Sequence, residues 1–339
     1  MGILNNSERS IYIMLSYWNN YPTIQNKLQT VCSLIEEQVK VRNKDVQHTL
    51  IDFSKAGGKY LRPAFFLLFA SFGNEQEQDE EQLIKIAASV ELLHMATLIH
   101  DDIIDDSPLR RGVITVQAKY GKDIAVYTGD LLFTVFFEII IEAMNGSKFL
   151  AINARSMKRL LLGELDQMET RYNTNETIRD YLRSVNGKTA ELFWLACMQG
   201  AHFGHADATT KRLAGRIGRN IGIAFQAYDD ILDYTSEEEV LQKPILEDLS
   251  QGVYTIPLLL AKEANPEVFL PFLEKKQHIT VEETQQVADL VVQYGGVDKA
   301  KEFARRFTEK ALADIDQLPD CQAKEWLEEL TFLLLARNY

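Results

Sequence analysis

Cysteine is scarce: Cys32, Cys197 and Cys321 are the only three in 339 residues, far apart and with no Cys-x-x-Cys pair. That spacing excludes a disulfide framework and a cysteine-built zinc site, and it suits reduced thiols in a cytoplasmic protein. Only 18 glycines and 8 prolines occur, so long helices need not be interrupted. The amino terminus lacks a basic region followed by an apolar run, so no secretory signal is expected. Asn6 stands where myristoylation prefers Ser or Thr. The most apolar run, residues 135–144, is broken by Glu138 and Glu142 and is too short to span a bilayer, so no transmembrane segment is expected. Positive charge is also in deficit, with 36 Lys and Arg against 49 Asp and Glu and a net charge of −13. Such an excess argues against a nucleic-acid or anionic-membrane surface.

What is present is helical patterning. Hydrophobic residues make up 46% of the chain, ample for a sizeable core. Apolar positions recur at mixed three- and four-residue spacing, first over Ile11 to Trp18 and Ile24 to Val41. These first fifty residues hold no chemical motif and are assigned to packing or dimer contact. Ser236 to Glu239 and Thr280 to Glu283 read as capping boxes. No segment shows strand alternation, a long linker or a short-period repeat. The chain reads as one all-α domain over residues 1–339.

Two acidic stretches stand out. The first, His100 to Gly112, holds Asp101, Asp102, Asp105 and Asp106, then Arg110 and Arg111 beyond a proline break. On a helix Asp101 and Asp105 are i, i+4 and Asp102 and Asp105 are i, i+3, which places the three towards one face. Like charges so close repel by roughly 4 kcal/mol per pair at an effective dielectric of about 20. Either a cation gathers them or they point into bulk water. The second stretch, Gln226 to Tyr234, repeats the spacing with Asp229, Asp230 and Asp233. Two such faces turned towards each other would make a cleft for divalent ions. Mg²⁺ fits better than Ca²⁺, because it takes one or two carboxylates and completes its octahedron with water and substrate phosphates. Neither stretch has the glycine and spacing of an EF-hand.

Basic and polar motifs lie between and around them. Gly57-Gly-Lys-Tyr-Leu-Arg-Pro63 sets Lys59 and Arg62 at the start of an apolar run, suited to an anion or simply to solvent. Glu91-Leu-Leu-His94 has di-iron spacing, but no second Glu-x-x-His pair accompanies it. His94 then either faces the cleft or is a satisfied core histidine. Gly129-Asp130 precedes another apolar helix, and Glu164, Asp166 and Glu169 share one helix. Lys188 and Thr189 follow Gly187 at an expected helix start, a position for an anion contact and an inward hydroxyl. Lys243-Pro244 and Asp248 to Gly252 form a loop past the second acidic stretch. Carboxylates for metal together with a separate basic site point to two polyanionic groups, such as a pair of diphosphates. No Ser-His-Asp arrangement or phosphate loop ending in Lys-Ser/Thr is present.

Gly-Gly-Lys-x-x-Arg-Pro, Asp-Asp-x-x-Asp followed by Arg-Arg-Gly, Lys-Thr, Gln-x-x-Asp-Asp-x-x-Asp, and Lys-Pro before Asp-Leu-x-Gln-Gly occur here in the order of the trans-isoprenyl (polyprenyl) diphosphate synthases, which the chain resembles over roughly residues 50 to 260. The resemblance implies a bundle of about a dozen helices around a deep apolar cavity, and head-to-tail condensation of an allylic diphosphate with isopentenyl diphosphate. It implies that Asp101, Asp102, Asp105, Asp229, Asp230 and Asp233 bind about three Mg²⁺ on the allylic diphosphate, contacted also by Lys188, Lys243 and Arg110. It further implies that Thr189 and Gln226 present oxygens to the allylic cation and that Lys59, Arg62, His94 and Arg111 hold isopentenyl diphosphate. Leu92, Ala96 and Thr97 correspond to the floor of the growing-chain tunnel, and small Ala96 leaves it open, as in a long-chain enzyme for a quinone side chain. Deeper bulky residues such as Leu92 would instead set a shorter, farnesyl- or geranylgeranyl-length product. Gln242 replaces the common glycine before Lys243, and Ile114 a frequent proline. Asp-Asp-Ile-Ile-Asp-Asp with Leu-Arg-Arg-Gly is similar to the catalytic subunit of two-component heptaprenyl synthases, so a homodimer and a heterodimer with a small regulatory subunit are both open.

Overall fold

Apolar-periodic segments with few glycines and prolines become helices along almost the whole described chain. The computed structural model describes residues 16–55, 58–110, 112–235 and 246–335. In order come α1 (Pro22–Gln38), α2 (Lys44–Lys55), α3 (Leu61–Ala70) and α4 (Glu80–Ile104), then strands β1 (Leu109–Arg110) and β2 (Val113–Ile114). Next are α5 (Val116–Tyr120), α6 (Lys122–Met144), α7 (Phe149–Thr170), α8 (Ile178–Val185), α9 (Glu191–Phe203) and α10 (Ala208–Thr235). The last are α11 (Glu247–Ser250), α12 (Ile256–Ala264), α13 (Pro266–Leu273), α14 (Val281–Gln293), α15 (Gly296–Ile315) and α16 (Gln322–Leu335). The all-α expectation holds, with one departure. Leu109 pairs antiparallel with Ile114, and Arg110 with Val113. Two-residue strands are too short to show alternation in sequence.

By contact density the chain divides into two units, Met1–Ile152 with Ala196–Lys211, and Asn153–Leu195 with Arg212–Tyr339. The first is built around α4, which is buried on all sides and packs against α1, α3 and α6. Fully buried Leu28, Ile35, Phe65, Phe66, Phe69 and Phe136 fill the space around it. A helix apolar all round belongs in an interior, which is why α4 lacks an amphipathic stripe. In the second unit α12 packs on α15, and α15 on α14 and α16, over a core that includes Phe269, Val287, Val291 and Ala304.

Several local expectations are met and others are corrected. Thr280 and Glu283 form a reciprocal capping box. The one proposed at Ser236 to Glu239 lies outside the described residues, as does most of the segment from Ile11 to Trp18. Cys32, Cys197 and Cys321 are free thiols, the first two buried. Gly129 does not precede a helix but sits inside α6, where a β-carbon would lie 2.5 Å from Nε2 of His100. The glycine makes room for that ring. By length and composition α4 and α6 are each able to cross a membrane, with 78% and 44% of their apolar windows buried inside the protein. The continuous helix to Lys122 was not visible in the run from 135 to 144 alone.

Candidate active site

Both aspartate motifs end long helices. Asp101 and Asp102 occupy the last turn of α4 and Asp105 is its C-cap, while Asp229, Asp230 and Asp233 lie in the last two turns of α10. Neither helix has a basic residue in its last turn. Carboxylates there face the negative end of the helix dipole as well as one another, so both motifs are electrostatically unfavourable without a cation.

The aspartates within each motif are not equivalent. Asp102 is 2% exposed, and Arg110 Nε donates to its Oδ1 at 2.6 Å. Burial pushes its carboxyl up to about 6, with the Arg110 charge and hydrogen bond opposing and Asp101 and Asp105 adding to the rise. Asp101 and Asp105 are partly exposed. In the second motif Asp230 is 3% exposed and accepts from Tyr181 Oη at 2.7 Å and from Gln226 Nε2 at 2.9 Å. Burial raises it to about 7 against those two hydrogen bonds, and Asp248 adds to the rise. Asp229 is partly exposed, whereas Asp233 is as buried as Asp230.

Lys188 and Thr189 are not at a helix start. They lie in a π-helical turn, Asn186–Ala190, that joins α8 directly to α9, so no array of exposed amides surrounds them. Such turns carry one extra residue and often mark functional sites. Lys188 Nζ reaches back to α7, 2.9 Å from a Glu164 oxygen and 3.1 Å from Gln167 Oε1. Thr189 Oγ1 donates to Gln226 Oε1 at 2.7 Å. The approach of α7 depends on Gly163, whose added β-carbon would lie 2.6 Å from Lys188 N and 2.8 Å from Gly187 Cα. Sequence reading gave Glu164 no role and passed over Gln167 and Tyr181. Tyr181 lies seven residues before Lys188, the one spacing that hints at a shared face.

In the first unit, Gly58, Glu91, Met95, Leu98 and Arg110 line one small cavity of about 10 Å³, bringing three sequence motifs together. Tyr60, in the left-handed region with φ 48°, turns the chain into α3, and Trp18 Nε1 donates to the Lys59 carbonyl at 2.7 Å. Lys59 Nζ lies 4.8 Å from the Tyr17 ring centroid, and Arg62 is in the first turn of α3. His94 is half-buried in α4. Leu92 and Ala96 are fully buried, and Thr97 bonds the His94 carbonyl at 2.8 Å. Arg111 and Lys243 lie outside the described residues. A larger cavity, about 390 Å³, sits at the other end of α4 beside Gln82 and Lys85, away from all these motifs.

Among the described residues no three His, Cys, Asp or Glu side chains converge on a point. Hard oxygen donors at two dipole-opposed helix ends nevertheless fit Mg²⁺, which draws much of its shell from water and phosphate.

The chain matches the polyprenyl synthetase family model over residues 43–291. It is 34% identical to heptaprenyl diphosphate synthase component 2 of Geobacillus stearothermophilus, covering 94% of this chain and 98% of that one. Among solved structures it resembles geranylgeranyl pyrophosphate synthase of Lactobacillus brevis, with a TM-score of 0.90 and 43% identity over 95% of this chain and 100% of that one. Heptaprenyl diphosphate synthase of Staphylococcus aureus gives a TM-score of 0.89 and 33% identity, covering 93% and 99%. A helical scaffold of this kind, with matches along nearly its full length and both aspartate motifs inside the matched region, means that the chain belongs to the polyprenyl synthetase family and is a trans-prenyltransferase.

Proposed function

We propose that the protein condenses an allylic diphosphate, farnesyl or geranylgeranyl, with successive isopentenyl diphosphates to give a long-chain all-trans polyprenyl diphosphate. The observation that carries the long-chain reading is Ala96, fully buried and five residues, about 7.5 Å, before Asp101 on α4. A bulky aromatic there would end the chain early; alanine does not. Relatives named as heptaprenyl synthases agree with this length. The Lactobacillus relative's name, a geranylgeranyl synthase, favours a shorter product and is the competing reading.

In this reading Asp101, Asp102, Asp105, Asp229, Asp230 and Asp233 would hold about three Mg²⁺ together with the allylic diphosphate. Asp102 and Asp230 are anchored by Arg110 and by Tyr181 with Gln226. When bound, Mg²⁺ stabilises negative charge developing on the diphosphate oxygens. Lys188, Lys243 and the remaining donors of Arg110 contact the same group. The allylic C–O bond breaks with its electron pair leaving on diphosphate, and Thr189 and Gln226 turn oxygens towards the cation. Lys59, Arg62, His94 and Arg111 orient isopentenyl diphosphate, whose double bond forms the new C–C bond before a proton is lost. An apolar, water-excluding cavity protects the cation.

The test is to incubate the purified chain with Mg²⁺, farnesyl diphosphate and labelled isopentenyl diphosphate, then size the dephosphorylated products. A ladder reaching beyond four units supports a self-sufficient long-chain enzyme. A product halted at four units supports the geranylgeranyl reading. Retained Mg²⁺-dependent binding without product supports the heterodimer suggested by relatives named component 2. Loss of binding as well refutes the assignment.

A further inference from the structure

Tyr181 belongs to no motif of the sequence reading, yet it is 5% exposed and its hydroxyl is spent inside the second aspartate site. The capping box of Thr177 and Asp180 fixes the start of α8, and the Tyr181 ring packs edge-on to Phe303 at 6.4 Å between centroids. The hydrogen bonds around it converge on the Asp230 carboxylate from two sides. Tyr181 Oη donates to Asp230 Oδ2 at 2.7 Å, and the Ile256 amide lies 3.5 Å from the same oxygen. Gln226 Nε2 donates to Asp230 Oδ1 at 2.9 Å, and Thr189 Oγ1 donates to Gln226 Oε1 at 2.7 Å.

We propose that Tyr181 is a positioning residue whose hydroxyl, acting through the Asp230 carboxylate, fixes which end of the Gln226 amide faces Thr189. The inference rests on the prenyl-transfer reading above. A carboxylate only accepts, so it selects the NH₂ end of the amide, and only that orientation leaves the amide oxygen to take the Thr189 proton. With its one proton given to Gln226, the Thr189 oxygen keeps its lone pairs for other partners. A cation forming nearby then meets two oxygens. Without the Tyr181 hydroxyl, Asp230 Oδ2 keeps only the longer contact from the Ile256 amide, so the carboxylate turns more easily and holds the Gln226 NH₂ group less firmly in the orientation that leaves the amide oxygen to Thr189. The polarity of the site is thus set from the second aspartate's far side.

The test compares the wild-type chain with Tyr181→Phe, which keeps the ring packed on Phe303. Expected is a fall in kcat on the order of 10- to 100-fold, with KM for both diphosphates changed less than about twofold. A structural role would instead add its loss to that of any other variant. In a Gln226→Leu background, Tyr181→Phe is expected to cost nothing further. A loss that multiplies with Gln226→Leu overturns the proposal.

A second readout does not need turnover. In the full chain labelled with ¹⁵N-glutamine, the Gln226 side-chain NH₂ resonance is expected to move in Tyr181→Phe, and an unmoved resonance overturns the proposal. In the wild-type chain alone, the Tyr181 hydroxyl proton is expected to be protected from exchange; free exchange also overturns it. A wild-type chain that neither makes polyprenyl product nor binds farnesyl diphosphate with Mg²⁺, while its Gln226 resonance responds to Tyr181→Phe, refutes the prenyl-transfer reading and leaves the hydrogen-bond assignment standing.

Discussion

Replacing Gly163 with alanine tests how the lysine-threonine motif is held. Considered as an isolated helix, α7 should gain, since alanine is favoured over glycine in a helix interior by about 1 kcal/mol. The structure reverses the sign. The new β-carbon would sit 2.6 Å from Lys188 N, 2.8 Å from Gly187 Cα and 2.9 Å from Gly187 C. All three are backbone atoms of the π turn, with no flexible side-chain end to give way. Overpacking of this kind costs roughly 1–3 kcal/mol, so the net effect is a loss of up to about 2 kcal/mol and a fall in melting temperature of up to about 3 °C. The strain is relieved by moving the turn away from α7, which loosens Lys188 from Glu164 and Gln167 and shifts Thr189 against Gln226. The expected fall in kcat is therefore tenfold or more, out of proportion to the stability change. Differential scanning calorimetry and initial rates under saturating diphosphates measure the two effects. A variant that melts higher than wild type with unchanged kcat refutes the reasoning.

Other expectations follow from the same geometry. Arg110→Met leaves a buried carboxylate without its partner and should destabilise the chain by about 3 kcal/mol in urea titrations; adding Asp102→Asn should restore most of that, and an additive double mutant would contradict the pairing. Ala96→Phe should shorten the product to three or four units, read by chromatography of the dephosphorylated alcohols; an unchanged length distribution speaks against the tunnel-floor role. Glu176 is buried, and its carboxyl is raised by burial from 4.5 to about 7, above its unfolded value. The folded chain therefore takes up that proton more readily than the unfolded one, and stability falls as pH rises from about 4.5 through 7. Glu176→Gln should abolish that slope and gain up to roughly 3 kcal/mol on wild type at pH 8; parallel pH curves would rule this out.

Residues at fixed local spacing were readable, and residues whose setting is tertiary were not. The aspartate triplets, the chain's helicity and the Thr280 capping box depend on neighbours within a few positions, so the sequence displays them. The division of labour inside each triplet was also available in principle. Adjacent helical residues are turned by about 100°, so Asp101 and Asp102 cannot both face the same way. Which of them turns inward depends on Arg110, brought back by the short hairpin of β1 and β2. Gly129 looked like punctuation because the His100 ring it accommodates comes from another helix. Lys188 looked like a helix start because Gly187 precedes it, and no composition signal announces a π turn.

That turn also bears on how the gene tolerates change in length. The extra residue in Asn186–Ala190 displaces the register of α9 against α8 by about 100°. Deleting one residue there would restore ordinary helical hydrogen bonding and improve the local backbone. It would also rotate every side chain on one flank relative to the other, separating Lys188 from Glu164 or Thr189 from Gln226 whichever flank moved. Substitutions around the turn are graded in effect, whereas a single-codon deletion is all-or-none. Drift in length can therefore accumulate in the loops between helices but is barred from this stretch of unbroken helix.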